Sequence, residues 1–344
     1  MNLEQITTAS LWNIPVGCWR TKKMAIEKIA RGYKTECLMD FEDSFGQAPE
    51  THGGVILPIN SFKLTVNRAK NSAKTLIGRR DPVEPFDGNV ETSGDIEVPV
   101  DARAFGWWLR NLFGKPVTSG DTVPYTHVFQ PKEESPSTVL QCSYGTEPET
   151  FGLYSGCKVS QLQLSAGGDD ELTATITMAG QIGTFSQTNY NDKAAPVTLK
   201  RFSNFQAALK RDGKEFAVCT AFSFTFDNGL DTDTRTLGSQ GKLYDIPEGI
   251  MSVTGSVTCL FTSLAMLEEA QTSKEMALEL TFSIDDNTSL SFLLPEVQIQ
   301  YQGPTVEGPT GIKVEYPFVA YYNDSTENTV CKVTLKNDVA SYAD

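Results

Sequence analysis

The fold class that the sequence predicts is mainly β, with two tandem homologous β-sandwich or barrel-like modules, each flanked by one α-helix, after an N-terminal region with a short helix. Three observations predict it. From Val55 onward apolar and polar residues alternate with period 2, the mark of strands buried on one face. A second series of such strands repeats the spacing of the first. One short helical stretch stands at the same place in each series. With 344 residues, 40% of them hydrophobic, the chain is long enough for two ordinary domains. The expected division is 1–54 for the N-terminal region, 55–195 for the first module and 196–344 for the second.

The N-terminal helix is expected in TKKMAIEKIAR at 21–31, which sets Met24 and Ile29 on one side and Lys22, Lys23, Lys28 and Arg31 largely on others. The first strand series reads SFKLTVN at 61–67, GDIEVPV at 94–100, KVSQLQL at 158–164 and ELTATITMA at 171–179, with a helix in DARAFGWWLRNLF at 101–113. The second reads AFSFTFDN at 221–228, MSVTGSVTCLF at 251–261, ALELTFSI at 277–284, SLSFLLP at 289–295, EVQIQY at 296–301, IKVEYPFVAYY at 312–322 and TVCKVTLKN at 329–337. Its helix falls in SLAMLEEA at 263–270. Turn chemistry separates the strands: Gly167-Gly168-Asp169-Asp170, Arg211-Asp212-Gly213 and Asp285-Asp286-Asn287.

The two series superpose. Sixteen residues separate Phe62 from Gly78, and sixteen separate Phe222 from Gly238. Gly88 follows ten residues on in the first series and Gly249 eleven on in the second, and each is succeeded six residues later by a further glycine, Gly94 or Gly255. Both of these open an alternating strand that runs into the helix. Leu162-Gln163-Leu164 is expected to answer Val297-Gln298-Ile299, and the strand ending at Ala179 the one ending at Ala320. Glycines at matched spacing imply matched backbone demands.

The chain carries 29 basic and 43 acidic side chains, a net charge of -14. Residues 1–80 hold 12 basic and 7 acidic groups, about +5, so the remainder carries about -19. This disfavours general attraction to phosphate backbones or anionic lipid. Seven cysteines, an odd number without CxxC spacing, read as reduced thiols of a cytoplasmic product. Met1-Asn2-Leu3-Glu4-Gln5 does not begin a basic and then apolar leader, and no stretch reaches the ~18 apolar residues of a membrane span.

Nothing in the sequence composes a catalytic, metal or cofactor site, and the protein is not expected to be an enzyme. Neither His52 nor His127 has metal-ligand spacing or a nucleophile motif beside it. In Gly152-Leu153-Tyr154-Ser155-Gly156 the serine stands one place late for a nucleophile elbow. Gly238-Ser239-Gln240-Gly241-Lys242 lacks the spacing of a phosphate loop, and the Asp227, Asp231, Asp233 cluster lacks the glycine and terminal Glu of a calcium loop.

Several stretches, in order over most of the chain, carry a family resemblance. They are MDFEDSFGQAPE at 39–50, TLIGRRDPVEPFDGNVETSGDIEV at 75–98 leading into AFGWWLRNLFG at 104–114, NGLDTDTRTLG at 228–238 with IPEGIMSVTGSV at 246–257, and PEVQIQYQGPTVEGPTGIKVEYPFVAYY at 295–322. The chain resembles the tail tube, or major tail, proteins of long-tailed bacteriophages and phage-like particles. The resemblance implies a virion structural protein whose β-sandwich modules assemble into rings around a channel. For a duplicated module it implies three chains per ring with pseudo-sixfold symmetry. The partners implied are further copies of the chain stacked head to tail and other tail proteins such as the tape measure, tail tip and terminator. DNA would be only a non-specific passing cargo, and no membrane is involved. The implied place is the virion tail, after synthesis in the host bacterial cytoplasm. The chain departs from single-module relatives in its length and its N-terminal region. Another β-sandwich virion component, or a carbohydrate-binding or adhesin-like module, would share the strand pattern.

A tube reading assigns roles to particular residues. An acidic lumen lets DNA slide without sticking, although an acidic surface also serves solubility alone. The long connections at 67–89 and 228–249 are expected to be arms between stacked rings, since connections of about 20 residues are uncommon in compact domains. Lys70, Lys74, Arg79 and Arg80 make the first arm basic and are expected to meet an acidic face of the neighbouring ring, while Asp231, Asp233, Asp245 and Glu248 make the second arm more acidic, so that the stacking surface would alternate in charge around the axis. Trp107 and Trp108, about 100° apart on a helix, are expected either to pack in different directions, one inward and one against a neighbouring module, or to straddle one broad core face.

Overall fold

The structure, a computed structural model, describes residues 29–306 and 308–342. The expected helix at 21–31 lies outside the described residues except for its last three positions.

Alternation in the sequence becomes nineteen strands and two α-helices among the described residues. The first run comprises β1 (Cys37–Phe41), β2 (Val55–Leu57), β3 (Ser61–Phe62), β4 (Thr65–Asn71), β5 (Phe86–Pro99), α1 (Phe105–Phe113), β6 (Val117–Ser119), β7 (Tyr125–Phe129), β8 (Thr138–Ser143), β9 (Phe151–Ala166), β10 (Thr173–Gly180) and β11 (Ile182–Ser186). The second comprises β12 (Ala207–Arg211), β13 (Lys214–Glu215), β14 (Cys219–Asp227), β15 (Ser252–Leu260), α2 (Ala265–Gln271), β16 (Met276–Asp285), β17 (Thr288–Ile299), β18 (Lys313–Ala320) and β19 (Lys332–Asn337). The fold is mainly β, as its residue pattern predicts, and its named strands pair antiparallel throughout.

One pairing plan occurs twice. In the first run β4, β5, β10 and the C-terminal half of β9 lie side by side, while β2, β1, β8, the N-terminal half of β9 and β11 form a second layer. In the second run the orders are β14, β15, β18, β17 and β13, β12, β16, β17, β19. The long strands β9 and β17 each pass from one layer to the other, and a bulge eases the passage. Its geometry is the same in both: the partner of β9 jumps from Thr138↔Cys157 to Leu140↔Tyr154, and that of β17 from Met276↔Val297 to Leu278↔Leu294.

Gly94 and Gly255 occupy matching places for a steric reason. A Cβ on Gly94 would stand 2.2 Å from the carbonyl oxygen of Lys63, and one on Gly255 2.1 Å from that of Ser223, closer than any side chain tolerates. Their partners across the ladder are Met178 and Phe318, which lead on to Val159 and Ile299. The bulges agree, setting Cys157 with Val297. This corrects the expected match of Leu162-Gln163-Leu164 to Val297-Gln298-Ile299. The first triplet lies further along β9, where it pairs with β14.

That pairing joins the two runs. Phe222–Asp227 of β14 lies along Gln161–Ala166 of β9, so eight strands form one sheet in the order β4, β5, β10, β9, β14, β15, β18, β17. A second tie comes from the β6–β7 hairpin, which adds to β19 through Phe129↔Val333 to Tyr125↔Asn337. The apolar cores of the two runs are therefore continuous, with Phe113 of α1 edge-on to Phe226 of β14 at 4.9 Å. Each such buried aromatic contributes about 1.5–3 kcal/mol by leaving water. β1 lies inside the region expected as 1–54, yet it is hydrogen-bonded to β8.

α1 starts on a buried acid. The Asp101 carboxylate accepts the N–H groups of Arg103 at 3.3 Å, Ala104 at 3.2 Å and Phe105 at 2.7 Å, satisfying donors that a helix start leaves without partners. Burial pushes the Asp101 pKa up, against the pull of those hydrogen bonds.

Candidate assembly surfaces

The connection between β4 and β5 is a projecting ribbon. The two strands stay paired through Arg68↔Val90, Lys70↔Asp87 and Asn71↔Phe86, beyond the edge of the layered body, and residues 72–85 close the ribbon without regular structure. Lys74, Arg79 and Arg80 are exposed there. So are apolar side chains: Leu76 is 97% exposed, Phe86 55% and Ile77 50%. The fold partly neutralises the basic run, since Lys70 pairs with Asp87, Arg68 lies 3.8 Å from the same carboxylate, and Arg79 pairs with Asp81 at 2.6 Å. The hydrogen bond from Lys70 holds the Asp87 carboxyl below its ordinary range.

The connection between β14 and β15 does the opposite and folds back. Gly249 N donates to Gly229 O at 3.0 Å, Asp231 N to Pro247 O at 2.9 Å and Tyr244 N to Thr234 O at 3.2 Å, zipping the loop shut. It then lies on the first run: Val90 N donates to Gly241 O at 2.9 Å, Arg235 Nη2 to Val90 O at 3.0 Å, and Gln181 Nε2 to Leu243 O at 3.0 Å. Leu243 and Ile246 are buried there with Ala179. A side chain at Gly241 would crowd the Asn89 backbone at 3.0 Å, so the contact requires glycine.

The four acidic residues of this loop divide accordingly. Glu248 faces inward: it pairs with Lys158 at 3.0 Å and accepts the Ser135 N–H at 2.8 Å and its hydroxyl, while Lys158 Nζ also donates to Ile246 O at 2.9 Å. Burial raises the Glu248 pKa, but the hydrogen bonds from Ser135 and Lys158 outweigh it and the net shift is downward. Asp245 is half-buried and accepts the Ile246 N–H at 2.7 Å. Asp231 and Asp233 are exposed, Asp231 accepting the Asp233 N–H at 2.9 Å.

The eight-stranded sheet ends in two free edges. Among the described residues β4 has β5 on one side and no strand on the other. At the opposite end, Gln300 N still donates to Pro317 O of β18 at 2.7 Å, and from there 301–306 run on with no strand partner among the described residues, with Tyr301 59% and Val306 73% exposed. The sheet's outer face is polar, carrying Gln163 and Ser165 of β9, Thr175 and Thr177 of β10, Ser93, Asp95 and Glu97 of β5, and Ser223, Thr225 and Asp227 of β14. Cross-strand contacts tie it together: Thr177 to Asp95 at 2.7 Å, Gln161 to Asp227 at 3.2 Å and Ser223 to Ser256 at 3.0 Å.

A family model described as phage tail tube protein matches residues 32–320, spanning β1 to β18. The chain belongs to the phage tail tube protein family. It is thus a structural subunit of the virion tail, with further tail components as its partners. A search of curated proteins finds no match to it. Among the described residues no helix of this tail tube family member is long and apolar enough to cross a membrane.

The tryptophan pair serves packing within the chain. Trp108 is buried in the core, and Trp107 lies between Phe41 of β1 at 6.3 Å and Tyr342 at 5.3 Å, edge-on. Tyr342, from the far end of the chain, is wholly buried. Its hydroxyl donates to Arg103 O at 2.6 Å and accepts from Asn337 Nδ2 at 2.7 Å. Gly106 leaves room for it, since a Cβ there would stand 2.2 Å from the tyrosine ring. His127 is buried beside the same ring and held by Thr118 at 2.8 Å and Val339 O at 2.9 Å, and burial lowers its pKa. Sequence reasoning missed the free edge at 301–306. The signal available was Gln302-Gly303-Pro304-Thr305, a break in alternation directly after a strand.

Proposed function

We propose that the chain forms tail tube rings by repeating between chains the seam it already contains within itself. The observation that carries this is the β9–β14 pairing together with the two free edges. β14 corresponds to Phe62–Asn67 around β4, and the stretch of β9 it pairs with corresponds to the segment after Ile299. The sheet therefore ends, on one side, in a copy of what its seam contains on the other. Such a head-to-tail contact closes when the rotation between copies closes. The two runs are read as copies of one ancestral module, and three chains then complete a ring of pseudo-sixfold symmetry.

In that ring the polar face of the eight-stranded sheet lines the channel. Its hydroxyls and amides carry no charge, and Asp95, Glu97, Asp227 and Glu315 outnumber Lys63 and Lys313. Phosphate is repelled gently at every step and no counterion-release affinity builds up, so DNA passes without being held. The ribbon at 67–89 stands away from this sheet and meets the neighbouring ring.

Negative-stain electron microscopy of the purified protein tests the reading, with rings or hollow tubes as the expected outcome. The Val66→Pro variant tests the seam. Lys63 N–H donates to Asp95 O at 2.8 Å, so by alternation the Val66 N–H faces away from β5, and proline on such an edge leaves the monomer folded. V66P should keep the wild-type circular dichroism and give discrete globules. Rings from V66P as abundant as from wild type would sink the proposed seam.

A further inference from the structure

Two pairs of cysteines stand directly opposite one another across the ladder. Cys37 of β1 faces Cys142 of β8, and Cys219 of β14 faces Cys259 of β15. Directly opposed residues of an antiparallel pair have Cα atoms about 4.5–5.5 Å apart, within the range that a disulfide spans. The two pairs differ in access. Cys37 and Cys142 are both buried, at 0% and 1% exposure, with no route for a reagent. Cys219 is half-exposed and helps line a cavity of about 380 Å³ whose wall includes Asn204, Phe205, Phe216 and Leu280, while Cys259 lies beneath it at 2% exposure.

The pair is also chemically uneven. The thiol of Cys259 hydrogen-bonds to the Cys219 sulfur, which lowers the Cys219 pKa and, with burial, raises that of Cys259. Cys219 Sγ donates to Ala221 O at 3.2 Å and is the outer, accessible sulfur of the two. An accessible sulfur poised directly opposite a second, buried thiol is the arrangement in which thiol–disulfide exchange runs to an internal disulfide. The ladder shifts register between Cys219 and Ala221, so the backbone at this end of β14 has the local freedom to adjust to a cross-link.

We propose that Cys219 and Cys259 form a thiol–disulfide couple that a low-molecular-weight disulfide, such as oxidised glutathione, converts to a cross-strand disulfide. The Cys219 thiolate attacks one glutathione sulfur, forming a mixed disulfide and expelling one glutathione thiolate. Cys259 then gives up its proton, attacks the Cys219 sulfur and expels the second glutathione. The two protein thiols are oxidised by two electrons, the small disulfide is reduced to two thiols, and the two protons end on these. Both thiols are free in the structure, and the bridge would lock β14 to β15 in an oxidising medium. The enclosed segment 220–258 includes the folded-back loop.

The folded wild-type protein, incubated with oxidised glutathione and then alkylated under denaturing conditions, is to be mapped by mass spectrometry without reduction. The expected product is a single linked peptide joining Cys219 to Cys259, with two of the seven thiols lost and the melting temperature raised by several degrees. Cys259→Ser should stop at a glutathione adduct on Cys219, and Cys219→Ser should leave Cys259 without glutathione. A wild-type map with all thiols intact, or with the bridge at Cys37 and Cys142, overturns the proposal, and this readout does not depend on either variant folding.

Discussion

The connections between β4 and β5 and between β14 and β15 begin from the same strand pair in the same pairing plan, and they end differently. The first stays a ribbon, exposed from Arg68 onward, with Leu76 and Phe86 in water. The second folds down on the first run and buries Leu243 and Ile246. The difference lies in what each has to bond with. The second loop finds Lys158, Ser135, Gln181 and the Val90 backbone within reach, because the seam between β9 and β14 brings the first run alongside it. The ribbon touches that loop only at its base, where Arg68 Nη2 donates to Gln240 O at 3.3 Å, and beyond it among the described residues no further strand pairs with β4. One connection is a fixed part of the body and the other projects with its tip in water.

The strongest test of a shared plan is at the glycines. Gly94→Ala and Gly255→Ala each drive a methyl group into a facing carbonyl oxygen, at 2.2 Å and 2.1 Å. Both should lose about 3 kcal/mol or more, by overpacking and forced backbone movement. Chemical denaturation of the two variants measures it. If one of them is neutral while the other is severe, the positions are not equivalent and the matched pairing loses its best support.

The next effect separates the two connections. Lys158→Met strands the Glu248 carboxylate in a half-enclosed site and should cost about 2 kcal/mol, less than the full figure for a deeply buried pair because Ser135 still donates to it. Asp87→Asn, which breaks the exposed ribbon pair with Lys70, should leave the melt unchanged. The pH dependence has a definite sign. The Glu248 pKa is held below its ordinary value, so this stabilisation is complete above the ordinary glutamate pKa and is lost as pH falls through the depressed one. Lys158→Met should flatten that acid limb.

Much of the fold was legible because it rests on local demands. Phe222, Phe224 and Phe226 alternate with Ser223 and Thr225, and the strand follows. Gly94 and Gly255 stood out because only glycine fits where two backbones approach so closely. The contacts that join distant parts of the chain were not legible. Nothing in YTHVF at 125–129 announces that it pairs with residues 333–337, and the buried Tyr342 is a lone aromatic in the short run Val339-Ala340-Ser341-Tyr342-Ala343, which has no strand period. The inward turn of Glu248 was hidden for the same reason, since Lys158 and Ser135 lie 90 and 113 residues away in sequence. Charge counting along the chain set the basic ribbon apart, and it could not see that Asp81 and Asp87 fold back to meet Arg79 and Lys70.

The smallest expected effect on the monomer is the most informative about assembly. Arg79 and Arg80 stand at the exposed tip, and Arg79 has Asp81 beside it, so changing both to Glu touches no buried group and should leave the monomer's melting temperature where it was. If the ribbon meets an acidic face on the next ring, the same change should shorten polymers measured by electron microscopy, and raising salt towards 1 M should shorten wild-type polymers in the same way, because the screening length there is about 3 Å. Indifference to both would remove charge from the contact. The apolar tip then becomes the test: Leu76→Ala with Ile77→Ala removes side chains that water surrounds in the monomer, so any loss of polymer length has to come from the surface they cover in the next ring. A contact insensitive to both pairs of substitutions would mean that the ribbon is free in the tube as well as in the single chain.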